Sequence, residues 1–178
     1  MRCAFPKGKT QTISSSQTLN KQTIFNFLSE ITDPEIPVLN IVEMGIVRNV
    51  VLENEKVRVV ITPTYSGCPA MKMIENEISE KLKVNGFSEV ELQTIYSPVW
   101  TTDWLTEEAK KKLQLFGISP PKQISGNQFV QITLPNKISC PYCNSQKTML
   151  KSDFSSTACK SLYYCNECLQ PFEYFKEI

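Results

Sequence analysis

Two Cys-x-x-Cys pairs close the chain, Cys140-Pro141-Tyr142-Cys143 and Cys165-Asn166-Glu167-Cys168, with twenty-one residues between them. No other feature restricts the fold as strongly. Four thiols in two close pairs can surround one tetrahedral metal ion, and a segment as short as 138–178 depends on such an ion to fold. The spacer is slightly longer than the usual zinc pattern. Soft thiolate donors make Zn²⁺ the leading candidate and iron the second. Four cysteines complete the tetrahedron and leave no position for a substrate, so the site reads as structural. A redox dithiol or an iron centre is the alternative chemistry.

The 178 residues suffice for one medium domain ahead of that small one, and an apolar content of 41% supports a core. A formal net charge of +1 favours neither nucleic acid nor an anionic membrane. From residue 138 onward four lysines stand against four acids, with no arginine, which counts against a phosphate-binding ribbon. Seven cysteines, four of them in the metal pairs, fit a reducing compartment better than a disulfide framework. No apolar run is long enough for a transmembrane helix. The chain has no histidine. Imidazole is therefore excluded as a ligand, a general base or a triad member. The paired Glu-x-x-His motifs of a carboxylate-bridged di-iron site are excluded with it. No catalytic residue is assigned, and a chain without an enzymatic site of its own is expected.

Residues 1–19 carry Arg2, Lys7, Lys9 and a serine triplet but no apolar segment, and read as a disordered tail. Asn20 caps an expected helix running to about residue 31, and Pro34 and Pro37 break regular structure after it. The β-branched stretches 46–52 and 57–62 read as a hairpin joined by Glu53-Asn54-Glu55-Lys56. Ala70, Ile74, Ile78 and Leu82 recur at helical spacing after Pro69, and Gly86 ends that helix. Val90, Leu92 and Thr94 alternate as a third strand. Thr106 caps a third helix that Gly117 stops. The expected fold class is α+β: an α-β-β-α-β-α domain over 20–117, a linker over 118–137, and a four-Cys ribbon over 138–178.

Cys68 falls where strand gives way to helix. Backbone amides and the helix macrodipole favour a thiolate there, so a lowered pKa is expected, with Gly67 permitting the sharp turn. Such a thiolate can bind a metal or exchange a disulfide; packing as a small apolar residue is the alternative. Cys68 lacks the Cys-x-x-Cys neighbour typical of a thiol redox enzyme. Cys159 is a further thiol between the knuckles, able to replace a ligand or to react beside Lys160, or simply to pack. Trp100 and Trp104 are candidates for partner contact or for the core. The ribbon core is expected from Phe154, Phe172 and Phe175.

Asp33-Pro34-Glu35-Ile36-Pro37-Val38, Gly45-Ile46-Val47 and the segment Thr62 to Met71 resemble the iron–sulfur assembly domain family that includes SufT-like proteins. Ser97 to Leu105, Ser155 to Lys160 and Cys165 to Phe175 resemble more narrowly the D-subunit family (PaaD, or PaaJ) of the bacterial phenylacetyl-CoA ring-1,2-epoxidase. The likeness spans about residues 20–178 in the expected domain order. A glycine often follows the first knuckle in that family, whereas Asn144 stands here; Asn tolerates the left-handed conformation required.

The resemblance implies a cytoplasmic accessory protein of aerobic phenylacetate breakdown. In that family the di-iron chemistry resides in a different component, and a separate reductase supplies electrons. Implied partners are the other epoxidase subunits and iron–sulfur assembly proteins. The implied role is maturation through metal or iron–sulfur delivery, or assembly of the complex. A general iron–sulfur assembly factor is the alternative. Cys68, with Asp33 and Glu35, is then the candidate transfer site for iron or a transient cluster. The competing account of Asp33 and Glu35 is a helix-ending turn in which Asp bonds the nearby backbone.

Overall fold

A computed structural model describes residues 20–53, 56–121 and 138–177. The expected tail 1–19 and most of the expected linker lie outside these residues.

Helix α1 (Lys21–Leu28) starts where Asn20 accepts a hydrogen bond from the Thr23 amide. It ends a turn earlier than the sequence suggests. Strands β1 (Val47–Glu53) and β2 (Lys56–Ile61) pair antiparallel, and β3 (Glu89–Thr94) joins β2 in parallel. A parallel pair needs a crossover, and helix α2 (Ala70–Val84) supplies it. Val57, Val59 and Ile61 of β2 point into the core, while Arg58 and Lys56 face Glu91 on the other side. Ile24 and Leu28 of α1, with Ile74, Ile78 and Leu82 of α2, bury the inner face. Helix α3 (Glu107–Phe116) is capped by Thr106 and stopped by Gly117 in the left-handed region, with φ 91°.

The linker expectation is corrected at its start. Ile118–Ser119 form strand β4, which pairs in parallel with the last strand. Strands β5 (Thr148–Ser152), β6 (Lys160–Cys165) and β7 (Pro171–Phe175) complete a four-stranded sheet in the order β4-β7-β6-β5. The chain therefore stitches its two halves together with a backbone ladder. A Cβ at Gly117 would lie 2.6 Å from the Tyr142 hydroxyl, so this glycine also lets the first Cys knuckle rest on the end of α3.

The ribbon core differs from expectation. Phe172 packs with Ile138, Cys140, Cys165 and Tyr174, as a small separate cluster. Phe154 is exposed. Phe175 leaves the ribbon altogether: it is fully buried in the core of the first domain, with its ring 6.2 Å from that of Trp100. Trp100 is likewise fully buried, and its Nε1 donates to the Met44 carbonyl at 2.9 Å. Its candidacy for partner contact is thereby corrected; a ring that fills the interdomain core meets no partner without unfolding. Trp104 is half-buried beneath the Arg48 guanidinium, 3.5 Å from the ring centroid. No helix among the described residues is long and apolar enough to cross a membrane.

Candidate functional site

The two knuckles converge on one point. Cys140 and Cys168 sulfurs are 3.6 Å apart, Cys143 and Cys165 sulfurs 3.5 Å, and all four lie within 4.8 Å of one another. A tetrahedral ion with metal–sulfur bonds of about 2.3 Å separates its sulfurs by about 3.8 Å, so the donor set fits a closed four-thiolate centre. Both knuckles reach this geometry by one backbone device. Asn144 and Leu169 each adopt φ 60°, and the Asn144 and Leu169 amides return to the carbonyls of Cys140 and Cys165. Asparagine accepts that conformation readily, whereas leucine does so at a cost.

The four crowded thiols also perturb one another. Backbone amides of Cys168 and Glu167 hold the Cys165 thiol down at about 7. Burial and the neighbouring sulfurs push Cys168 up to about 12. Cys159 stands outside this set, at the opposite end of β6 from Cys165.

A second group of side chains gathers where β2 passes into α2. Gly67, with φ 93°, turns the loop that carries Thr64, Tyr65 and Cys68 ahead of Ala70. Cys68 is half-buried in this loop, with the Ala70 amide, the Thr64 side chain and Tyr65 near enough to influence or share its titration. The expected lowering of its pKa is corrected: burial raises it, and the Glu35 and Asp33 carboxylates add to that rise beyond what the Ala70 amide and the Thr64 side chain recover. At neutral pH Cys68 is a thiol. Burial also raises Asp33 and Glu35, and the same environment lifts Tyr65 to about 12.

Asp33 is 5% exposed, and its Oδ1 accepts from the Glu35 and Ile36 amides at 2.8 and 2.9 Å. These bonds give Asp33 its turn-forming role, and its charge also bears on Cys68. Glu35 is half-buried. The ribbon contributes to the same neighbourhood. Cys159 is buried, bonded to the Thr157 hydroxyl at 3.1 Å, and raised by burial and by Glu35 and Asp33 despite Lys160. Lys160, only 3% exposed, pairs with Glu173 at 2.8 Å, and its charge bears on Asp33, Glu35 and Cys159. Sequence reasoning misses the Lys160–Glu173 pair. The one available signal is a lysine at the start of a strand whose hairpin partner carries a glutamate.

Comparison with known proteins follows the same division. Residues 21–92 match the family model described as an iron–sulfur cluster assembly protein, and residues 125–176 match the PaaD zinc beta ribbon domain. A protein of Escherichia coli (strain K12), named as the D component of a "Putative 1,2-phenylacetyl-CoA epoxidase", is 47% identical over 153 residues, covering 86% of this chain and 90% of its own length. A protein of Porphyromonas gingivalis named "Fe-S protein maturation auxiliary factor" is 34% identical over 95 residues, which is 52% of this chain and 90% of that protein. A crystal structure of a domain of unknown function from Bacillus anthracis aligns with a TM-score of 0.49 at 27% identity, over 52% of this chain and 90% of that domain.

Proposed function

This chain belongs to the PaaD family, the D components of 1,2-phenylacetyl-CoA epoxidases, and on that premise we propose that it is a non-catalytic accessory protein that matures the epoxidase by delivering iron or an iron–sulfur cluster. Its working thiol is Cys68, with Asp33 and Glu35 as the oxygen donors beside it. The observation that carries this reading is a half-buried thiol that feels the charge of two carboxylates, on a domain that matches iron–sulfur assembly proteins. A thiol and carboxylates together suit a borderline cation such as ferrous iron. The ribbon cysteines Cys140, Cys143, Cys165 and Cys168 hold Zn²⁺, which folds the small domain and does no chemistry. The partners are the other subunits of the epoxidase, in the cytoplasm, and the oxygen chemistry takes place on one of them.

The test is a strain carrying Cys68→Ser as its sole copy of this gene, grown with phenylacetate. The variant is expected to fold, keep its zinc and bind the epoxidase, while the purified epoxidase is short of iron and inactive. Epoxidase with full iron content and full activity from that strain overturns the proposal. A general iron–sulfur assembly role is the second reading, favoured by the likeness of the first domain to a maturation factor. It predicts that unrelated iron–sulfur enzymes such as aconitase also lose activity in the same strain.

A further inference from the structure

We propose that the exposed end of α3 and the first Cys knuckle together form a docking face for an acidic, amphipathic segment of another protein, an epoxidase subunit. Apolar side chains of that segment seat on Leu115, Phe116 and Tyr142, and a carboxylate meets Lys111. The inference rests on the functional reading above only for the identity of the protein to probe.

Helix α3 buries Ala109 and Leu113, and the rest of an amphipathic surface helix is ordinarily polar. Here the outer face turns apolar after Gln114. Leu115 is 89% exposed and Phe116 53%, and Tyr142 of the ribbon joins them at 57%. A single exposed leucine means little, whereas a contiguous apolar face marks an interaction site. These side chains are contiguous. One hollow lies between Leu115 and the Pro141-Tyr142 pair of the knuckle. A second lies between Leu115, Phe116 and the half-buried Val38, so the two meet at Leu115.

The face is held in shape from both domains. Gly117 admits the Tyr142 hydroxyl against the end of α3. Tyr142 lies between two cysteines of the four-sulfur centre, and β4, directly after α3, is fixed by its ladder to β7. A preformed face loses little conformational freedom on binding.

Charge selects the occupant. Lys111 lines the first hollow and Lys112 the second, and no carboxylate lines either. Glu43 engages Lys112 at 2.8 Å, whereas Lys111 has no ion pair among the described residues. Lys111 stands one helical turn before Leu115, and Lys112 one turn before Phe116, so each cation neighbours an apolar anchor. A second copy of this chain fits badly, because an isologous contact sets two lysine-bearing, carboxylate-free faces against each other. An anionic membrane fits badly too, since one unpaired lysine falls short of the cluster of about four to eight that such surfaces attract. A segment with apolar anchors and an acidic residue beside them satisfies both halves of the face.

The experiment uses the full, metal-loaded chain and the purified remaining epoxidase subunits immobilised on a biosensor, with affinity measured at low and high salt. The parent is expected to bind. Leu115→Ser should weaken binding by about tenfold or more. Lys111→Glu should weaken it by about tenfold at low salt, with much of that difference lost at high salt. Both side chains are exposed, and retained metal reports that both variants are folded. Val84→Ser, 86% exposed on α2 and outside both hollows, should bind as the parent does. If the parent binds and both α3 variants match it, the docking face is overturned and the Cys68 reading stands. A parent dimer that Leu115→Ser dissociates, or Leu115-dependent binding to phosphatidylglycerol vesicles, also overturns it. So does binding that requires replacement of residues 122–137 by a Gly-Ser linker, because the chain's own segment then competes for the face. If the parent binds no epoxidase subunit with either linker, the accessory role falls as well.

Discussion

Phe175→Ala should destabilise the first domain although the residue belongs to the last strand of the ribbon. The ring is fully buried, in the cluster that contains Ile24, Ile74 and Trp100. Truncating a buried phenylalanine costs about 3–5 kcal/mol through lost transfer energy and the cavity left behind. The tilted pair with Trp100, at 6.2 Å, is part of that loss and is itself worth about 1 kcal/mol. A total near 4 kcal/mol is expected. With a urea slope of about 2 kcal/mol per M for a domain of this size, the midpoint falls by about 2 M.

Both tryptophans, Trp100 and Trp104, lie in the first domain, so their fluorescence reports that domain together with the contact between Trp100 and Phe175. Metal release under the same conditions reports the ribbon. Phe172→Ala is the control, because Phe172 stacks on Tyr163 inside the ribbon cluster. It should promote metal release and leave the tryptophan transition nearly in place. If Phe175→Ala moves the tryptophan transition by less than about 1 kcal/mol, the aromatic key between the domains is refuted.

Three further outcomes rest on particular residues. Cys143→Ser, or strong chelation of the parent, should unfold residues 138–177, since a structural metal contributes on the order of 10 kcal/mol to such a module; retained amide protection in β5 to β7 after metal loss would contradict this. Leu169→Gly should be neutral or stabilise the ribbon by up to about 1 kcal/mol, because the backbone at φ 60° strains leucine and the side chain is exposed; a loss beyond about 1 kcal/mol in thermal melts would show that the strain is absent. For Glu173, burial alone would raise the carboxyl, but Lys160, Ser155 and Ser156 outweigh it and hold the group down at about 2. A depressed pKa means stability present above the ordinary value of 4.5 and lost as pH falls toward 2, so Glu173→Gln should flatten the stability profile across that window, and an unchanged acid limb would refute the pairing.

The parts of the fold legible in the sequence are those that local chemistry determines. Asn20, Thr106 and Gly117 announce helix ends because a cap is made within one turn of chain. The β-branched runs of β1 and β2 and the alternation in β3 report the sheet, and the knuckle spacing reports the four-sulfur centre. What escapes depends on the two halves meeting. The two residues of β4 carry no signal of their own and become a strand only because β7 lies alongside. Phe175 and Phe154 are indistinguishable in composition, yet packing sends one into the neighbouring core and leaves the other exposed. The Cys68 pKa departs from expectation for the same reason: the helix terminus is visible in the sequence, but burial beside Asp33 and Glu35 is not, and burial dominates.

That reversal alters what kind of site Cys68 makes. A permanent thiolate would attract oxidants and any passing soft metal, whereas a neutral buried thiol resists both. A cation that enters this neighbourhood reverses the balance, because its charge repays the desolvation that kept the proton in place. If Cys68 handles a metal as proposed, its affinity is then conditional on the charge of the ion, and release follows when an acceptor removes that charge. The ribbon has a share in this setting. Strand β6 begins with Lys160, directly after Cys159, and ends with Cys165, so the strand that presents Lys160 to Asp33 and Glu35 is held at its far end by the four-sulfur centre. On the proposed reading, a structural metal in the ribbon thereby helps to hold the Lys160 charge that bears on Asp33 and Glu35.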